Sequence, residues 1–129
     1  MTSLYRELVL DTDAAHAWHA LRDPAAAAQA FAGVLVNCTF DGDTRTVTFA
    51  NGNVIQERIV AIDEARMRIA YTVLGDRFDH HHASMQIVSE GPGSCRFVWQ
   101  TDFLPDARRE LVEPLTDAGC AAFARNVTR

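Results

Sequence analysis

Six consecutive segments of this chain alternate apolar and polar residues with a period of two, which is the pattern of half-buried β-strands. They lie at 34–40, 44–49, 54–62, 67–74, 81–88 and 95–103. Turn residues separate them, most clearly Asn51-Gly52, a pair that suits tight hairpins because both residues tolerate positive φ. Strands that are joined by such short turns pair antiparallel, so the pattern predicts a meander.

Further elements flank these six strands. A seventh strand is predicted at 4–10, followed by two short helices, one with Trp18 and Leu21 on its apolar face and one rich in alanine. At the other end a long helix begins at Pro105-Asp106 and carries its apolar residues in one broad stripe. The predicted order is strand, two helices, six strands and a long helix.

This order predicts an α+β fold. A helix with one wide apolar stripe must lie against another surface, and a curved seven-stranded antiparallel sheet offers a concave one. Side chains only partly occupy the space between such a sheet and the helix, so we expect an internal apolar cavity. A cone-shaped isomerase fold also builds a pocket from a curved sheet, but it begins with helices and ends in strands.

Composition narrows the class of protein. The length of 129 residues, with 48% apolar and 22% charged residues, fits one folded domain over 1–129. A net charge of -5 without a basic run argues against a nucleic-acid partner. Three widely spaced cysteines without a CxxC pair argue against a disulfide framework and a zinc site. Because glycine-rich phosphate loops are also absent from the sequence, no cofactor is expected.

Two further features bear on location. No uncharged apolar stretch reaches the roughly 20 residues that a bilayer crossing needs. Glu7 and Asp11 fall where a signal peptide carries apolar residues. We therefore expect a cytoplasmic protein without a membrane span.

Strand alternation and the helix stripe give a candidate ligand-binding surface. Its members are the inward-facing residues Tyr71, Val73, His81, Met85, Phe97, Trp99 and Thr101 of the later strands and Leu115, Ala118 and Ala122 of the long helix. Tyr71 and Trp99 stand out, because a buried O–H or N–H needs a hydrogen-bond partner that a pocket can supply as water or ligand. For the aliphatic members the alternative is that they only form the core.

The strand at 54–62 leaves one choice open, because Glu57 lies on one face and Arg58 on the other. An unpaired buried charge costs several kcal/mol. Whichever of the two points inward must therefore find a partner or become neutral, and a shifted pKa would make it a candidate acid or base. The alternative is a cross-strand surface pair with Arg66 or Arg68.

The run His80-His81-His82 follows a polar loop near the expected rim of the cavity. Successive strand residues point to opposite faces, so only His80 and His82 share a side, whereas a catalytic zinc ion takes three protein ligands. No metal site is predicted. A single inward imidazole, His81, is predicted to act as a hydrogen-bond partner or a general base. The alternative is three solvated histidines at the rim.

Short motifs carry a resemblance to a known superfamily. They are Glu57-Arg58 in a mid-sheet strand, Ile62-Asp63 at its end, and Trp99-x-x-Asp102-Phe103 just before Pro105-Asp106. With the order of elements, they resemble the helix-grip superfamily of polyketide cyclases, START lipid-binding domains and Bet v 1-like plant allergens. The resemblance covers essentially the whole chain and is strongest to the polyketide cyclase/dehydrase branch.

The resemblance implies a cavity for an aromatic, polyketide or lipid-like molecule. It also implies a substrate-positioning or proton-handling role for the arginine of the mid-sheet strand, here Arg58. If the protein is an enzyme, we expect acid–base chemistry on a bound carbonyl compound, in which Arg58, Tyr71 or His81 assists enolisation or loss of water.

A non-catalytic carrier or sequestering protein for a hydrophobic metabolite is the alternative. A cyclase needs at least two convergent polar groups with perturbed pKa values, whereas a carrier needs only shape and one anchoring bond. The expected partner is a hydrophobic small molecule, and a homodimer is left open.

Overall fold

The computed structural model describes residues 1–128. In chain order its elements are β1 (Thr2–Leu10), α1 (Ala14–Leu21), a 3₁₀ turn (Pro24–Ala26), α2 (Ala27–Ala30), β2 (Leu35–Asp41), β3 (Thr44–Phe49), β4 (Val54–Asp63), β5 (Arg68–Val73), β6 (His80–Ser89), β7 (Cys95–Leu104), a second 3₁₀ turn (Asp106–Arg108) and α3 (Arg109–Val127). The predicted order of elements is confirmed.

The seven strands form one antiparallel sheet in the order β1-β7-β6-β5-β4-β3-β2. From β2 to β7 each strand lies beside the next one in the chain, as their short turns require. β1 takes the edge opposite β2 and pairs with β7, with Thr2 opposite Phe103. Register shifts interrupt the pairing of β2 near Leu35 and of β4 near Ile59. Such bulges bend a strand and increase its twist, which helps the sheet to curve.

The turn between β3 and β4 is the one that the sequence marked most clearly. Gly52 has a φ of +93°, which a residue with a Cβ rarely adopts. The side-chain carbonyl of Asn51 accepts a hydrogen bond of 2.9 Å from the backbone N–H of Asn53. This turn fixes the register in which β3 and β4 meet, and that register places the charged residues of both strands.

The helix α3 lies against the concave face of the sheet, and its second half is tightly packed. Phe123 stacks on Phe97 of β7 and on Phe31 beside α2, with ring centroids 4.5 and 5.3 Å apart. Trp18 of α1 donates its indole N–H to Glu64 in the β4–β5 turn at 2.8 Å. The two short helices therefore cover this end of the core, and the protein has the predicted α+β helix-grip fold.

Within residues 1–128, no helix combines the length and hydropathy that a bilayer crossing requires.

Candidate functional site

A cavity of about 120 Å³ lies between the concave face of the sheet and the first half of α3. Its wall is mostly apolar, because the inward positions of the strands alternate with polar outward ones. The helix α3 contributes four residues of one helical face to the wall: Val112, Leu115, Thr116 and Gly119. Polar side chains interrupt the strand part of the wall at Arg45, Glu57, Tyr71, His81, Trp99 and Thr101.

Arg45 and Glu57 form a buried ion pair on this wall. They lie opposite each other on β3 and β4, and they are 7% and 9% exposed. Nε and Nη2 of Arg45 lie 2.9 and 2.8 Å from the same carboxylate oxygen, Oε1 of Glu57. Either charge would cost several kcal/mol if it were buried without the other, so the two residues depend on each other.

Sequence reasoning missed Arg45, although a signal for it was present. Residues 44–49 alternate threonine with Arg45, Val47 and Phe49. Since Val47 and Phe49 mark the inward face, the alternation also places Arg45 inward. Arg45 in turn identifies Glu57 as its buried partner, because an inward arginine requires an inward carboxylate.

The structure settles the choice between Glu57 and Arg58, which the sequence left open: Arg58 points outward. Its side chain is 53% exposed on the outer face of β4, where Nε lies 3.3 Å from Oδ2 of Asp43. The reason is the period of two along a strand: Glu57 points inward, so its neighbour Arg58 cannot. The substrate-positioning role that the resemblance implies for Arg58 is incompatible with this position.

Tyr71 of β5 is buried on the wall between the ion pair and Trp99. The guanidinium carbon of Arg45 lies 5.5 Å from the centre of the Tyr71 ring. Burial, and next the negative charge of Glu57, raise the pKa of the Tyr71 hydroxyl far above its ordinary value, while Arg45 and the Trp99 indole act in the opposite direction. The hydroxyl therefore keeps its proton and can donate it in a hydrogen bond.

His81 of β6 is half-buried between two aromatic rings, with centroids 4.9 Å from Phe78 and 5.9 Å from Tyr71. Its Nδ1 accepts a hydrogen bond of 3.1 Å from the backbone N–H of Val73. Burial first, and then the charges of the adjacent His82 and His80, lower the pKa of His81 to about 4. The imidazole is therefore neutral at pH 7, with its proton on Nε2, because Nδ1 is the acceptor.

Trp99 of β7 lies against α3 at a point where that helix has no side chain. A Cβ atom on Gly119 would lie 2.7 Å from Cζ3 of Trp99, so the approach of helix and indole requires glycine here. The ring also contacts Phe31 at a centroid distance of 5.8 Å. The indole nitrogen Nε1 is buried and has no hydrogen-bond partner within residues 1–128.

The remaining candidates divide into two groups. Val73, Met85, Thr101 and Leu115 lie on the cavity wall, as do Glu57, Tyr71, His81 and Trp99. Phe97, Ala118 and Ala122 do not, and the structure corrects their predicted place. Phe97 stacks on Phe123 outside the cavity wall, Ala118 is exposed, and Ala122 is buried but does not line the cavity. The apolar stripe of α3 thus serves the cavity in its first half and the solid core in its second.

The other two histidines of the triplet lie away from the cavity: His80 is exposed, and His82 is half-buried on the outer face of β6. Among residues 1–128, no three His, Cys, Asp or Glu side chains are grouped so that they could hold a metal ion.

At neutral pH the polar groups of this cavity are hydrogen-bonding groups rather than titrating ones. Tyr71 is protonated, His81 is neutral, and the charges of Arg45 and Glu57 are matched within one ion pair. A site with this arrangement can orient an apolar molecule through a few hydrogen bonds.

Solved structures share this fold over almost their whole length. XoxI from Bacillus cereus is 12% identical with a TM-score of 0.88, covering 98% of this chain and 96% of that one. A protein from Thermobifida fusca is 27% identical with a TM-score of 0.80, covering 98% and 93%. Norcoclaurine synthase from Thalictrum flavum, solved with dopamine and hydroxybenzaldehyde, is 17% identical with a TM-score of 0.74, covering 96% and 84%.

No match was found among the curated proteins. The sequence does match, over residues 1–129, the family described as polyketide cyclase / dehydrase and lipid transport. Fold, cavity and sequence agree, and this chain is a member of that polyketide cyclase / dehydrase and lipid transport family.

Proposed function

We propose that this protein binds a hydrophobic small molecule in the cavity beneath α3 and acts as a carrier or sequestering protein. The observation that carries the proposal is the apolar wall with a small number of inward polar groups, which is the usual form of a small-molecule site. The family includes lipid transport, and norcoclaurine synthase, which has a similar fold, was solved with small aromatic compounds bound. Both support binding of a small molecule, while the cyclase, dehydrase and synthase in the same descriptions support the second candidate function below.

Acid–base catalysis on a polyketide or similar carbonyl compound is the second candidate function. It is favoured by two side chains with perturbed pKa values on one wall, Tyr71 and His81. An efficient general acid or base has a pKa near the working pH, however, and both perturbations move these groups away from neutrality. We therefore rank turnover below binding, and we assign Tyr71 and His81 to ligand binding.

The residues that we expect to contact the ligand surround the cavity. They are Glu57, Tyr71, Val73, His81, Met85, Trp99, Thr101 and Leu115, to which the structure adds Arg45. Arg45 and Glu57 satisfy each other, so their role is to keep this end of the cavity polar and of fixed shape.

Thermal-shift screening against single-ring aromatic compounds, flavonoids and fatty acids tests the binding proposal. A ligand that binds only the folded state, present at a concentration of about a hundred times its Kd, stabilises that state by about 2.7 kcal/mol and so raises Tm. We expect stabilisation by some of these compounds. Native mass spectrometry of the protein purified from a heterologous host should then show the same class of molecule bound.

A cavity-filling variant locates the binding. Leu115→Trp should fill the space beneath α3 and abolish the ligand-dependent rise in Tm, whereas Ala118→Trp, on the exposed side of the same helix, should keep it. The proposal fails if no compound stabilises the wild-type protein, or if a stabilising compound acts equally on a folded Leu115→Trp variant.

Incubation of a bound compound with the protein separates the two candidate functions. A carrier returns the compound unchanged. A cyclase or dehydratase returns an isomer or a product lighter by one water, which chromatography with mass detection would resolve, and such a product would contradict a purely binding role.

Three predictions from the sequence stay predictions: the single domain over 1–129, the cytoplasmic location and the absence of a nucleic-acid partner. Whether the protein forms a homodimer stays open.

A further inference from the structure

Besides the unpaired indole N–H of Trp99, the polar part of the cavity wall holds two hydrogen-bond donors to which residues 1–128 offer no acceptor, and they restrict the kind of ligand that fits. This inference rests on the proposed function, since it concerns the same cavity. The donors are the Tyr71 hydroxyl and Nε2–H of His81. Their rings are 5.9 Å apart on neighbouring strands, and both side chains line the cavity.

The backbone determines which nitrogen of His81 carries the proton. Val73 N–H donates to Nδ1 at 3.1 Å, and an imidazole nitrogen that accepts a hydrogen bond has no proton. The hydroxyl of Thr72 donates to the backbone carbonyl of His81 at 2.6 Å and holds the residue from its other side. With Nδ1 occupied, Nε2–H is the part of the ring that is free for a ligand.

The same geometry removes His81 as a proton acceptor. A general base needs a free lone pair, and the lone pair of the neutral ring is on Nδ1, where it is used by Val73. His81 therefore donates a hydrogen bond to an acceptor atom on the ligand and does not abstract a proton from it. Tyr71 adds a second donor from the neighbouring strand.

The charges around these donors indicate that the ligand is neutral. Arg45 and Glu57 match each other, and the contacts of Arg45 go to a single oxygen of that carboxylate. An anion or a cation in the cavity would face no unmatched counter-charge from residues 1–128, and burying it would cost several kcal/mol. A carbonyl oxygen accepts two hydrogen bonds without carrying a full charge.

The volume limits the size of the ligand. The cavity of about 120 Å³ is close to the roughly 150 Å³ of an engineered apolar cavity that binds benzene. The cavity is open on one side, so this volume describes the part of the ligand that lies inside it, and one ring with a short substituent matches that space.

We propose that the ligand is a neutral, single-ring-sized molecule with a carbonyl group whose oxygen accepts hydrogen bonds from Nε2–H of His81 and from the Tyr71 hydroxyl.

Isosteric probes test this proposal. Acetophenone and α-methylstyrene have nearly the same shape, but the second carries a CH₂ group where the first has the carbonyl oxygen. We expect the wild-type protein to bind acetophenone roughly tenfold more tightly by isothermal titration, because α-methylstyrene leaves the donors unpaired. Benzoate and 2-acetylnaphthalene should bind more weakly than acetophenone, owing to charge and size.

Variants of His81 and Tyr71 test whether these two residues cause the preference for acetophenone over α-methylstyrene. His81→Phe and Tyr71→Phe should each lower the preference for acetophenone over α-methylstyrene. Measurable binding of α-methylstyrene, whatever its absolute affinity, reports that the cavity is still present in each variant. His80→Phe makes the same change at the exposed neighbour and should leave the preference as in the wild type.

A measurement on the unmodified protein supplements the variants. ¹⁵N NMR of the histidine rings should show His81 protonated at Nε2 and not at Nδ1, and acetophenone should shift the Nε2 signal.

The results separate two kinds of failure. Equal affinity for acetophenone and α-methylstyrene, a preference that survives in a folded His81→Phe variant, or a proton on Nδ1 would overturn the ligand class. Equal affinity for 2-acetylnaphthalene and acetophenone would overturn the size limit, and tighter binding of benzoate than of acetophenone would overturn neutrality. Absence of binding by every apolar probe would instead overturn the proposed function itself.

Discussion

Two ion pairs on successive residues of β4 have the same chemistry and opposite surroundings. Glu57 points inward and meets Arg45 at 2.8 Å, with both side chains almost fully buried. Arg58 points outward and meets Asp43 at 3.3 Å, with both side chains more than half exposed. One residue of displacement along the strand thus moves a carboxylate–guanidinium pair from the cavity wall into solvent.

The difference shows that burial, and not residue type, decides how much the loss of one partner of such an ion pair destabilises the protein. In solvent the attraction is screened and the side chains are costly to order, so the outer pair contributes little. Inside, removing one partner leaves a charge that water cannot reach. The inner pair therefore fixes the shape of the cavity wall, while the outer pair can vary freely. The predictions below test this contrast, starting with the largest effect.

Breaking the inner pair should have the largest effect. Arg45→Met leaves Glu57 buried without a partner and should lower the free energy of unfolding by about 3–5 kcal/mol. Urea denaturation at pH 7 measures the loss. Arg58→Met is the matched control on the outer face, and equal losses from the two variants would contradict the contrast.

Removing both inner charges sharpens this test. A double variant, Arg45→Met with Glu57→Leu, should recover most of the stability that Arg45→Met loses, because no charge remains buried. A double variant as unstable as the single one would mean that packing, and not electrostatics, explains the loss.

The pH dependence of stability extends the comparison to the histidines of β6. The pKa of His81 is about 4 in the folded protein and about 6.5 when it is unfolded, so the unfolded chain binds the proton more strongly. Stability from this residue is complete above about pH 6.5, falls as the pH drops towards 4, and is constant below that. The loss amounts to at most about 3 kcal/mol.

Urea denaturation between pH 4 and 7.5 checks this expectation against the exposed neighbour of His81. His81→Phe should flatten the curve between about pH 4 and 6.5, whereas His80→Phe should leave its shape unchanged. A His81→Phe variant with the pH dependence of the wild type would contradict the prediction.

The approach of α3 to the sheet should produce a smaller effect. Gly119→Ala places a Cβ atom 2.7 Å from Cζ3 of Trp99 and should destabilise the protein by about 1–3 kcal/mol. At an exposed helical position the same change would stabilise by about 1 kcal/mol. Thermal unfolding gives the sign of the effect, and a rise in Tm would mean that Trp99 moves aside without cost.

The smallest effect is expected for the outer pair. Arg58→Ala should change the free energy of unfolding by less than about 1 kcal/mol, and the difference from wild type should shrink further in 1 M NaCl as screening removes the attraction. A larger loss that does not depend on salt would show that Arg58 has a structural role.

Most of the fold could be predicted from the sequence, because its signals are local. Period-two alternation, Asn51-Gly52 and the apolar stripe of α3 each act over a few residues, and the short turns leave little choice of partner for β2 to β7. The same alternation predicted that His81 and Tyr71 share the inward face of β6 and β5. These features need no knowledge of distant contacts.

The parts of the site that were left open or mispredicted depend on contacts between distant elements. Whether Glu57 or Arg58 points inward is settled by Arg45 on the neighbouring strand, since a buried carboxylate needs that partner. Phe97 and Ala122 are buried, but Phe97 stacks on Phe123 of α3 and neither residue lines the cavity. A local pattern does not show where a gap between two elements ends. The resemblance implied a substrate-positioning or proton-handling role for Arg58 because of its position in a motif. A motif position does not tell which face of the strand the side chain occupies.

The pairing of β1 with β7 has a consequence for the order in which the chain can fold. Within the described residues, β1 has no sheet neighbour other than β7, and Thr2 lies opposite Phe103. During synthesis β1 therefore stays without its sheet partner until the roughly one hundred residues that separate Thr2 from Phe103 have been made. Hairpins from β2 to β7 can close as they emerge, whereas β1 must join last, through contacts of very large sequence separation, which fold slowly. Leu4 and Leu10, fully buried in the finished protein, are exposed during that interval, which makes β1 a segment at risk of aggregation while the chain is being synthesised.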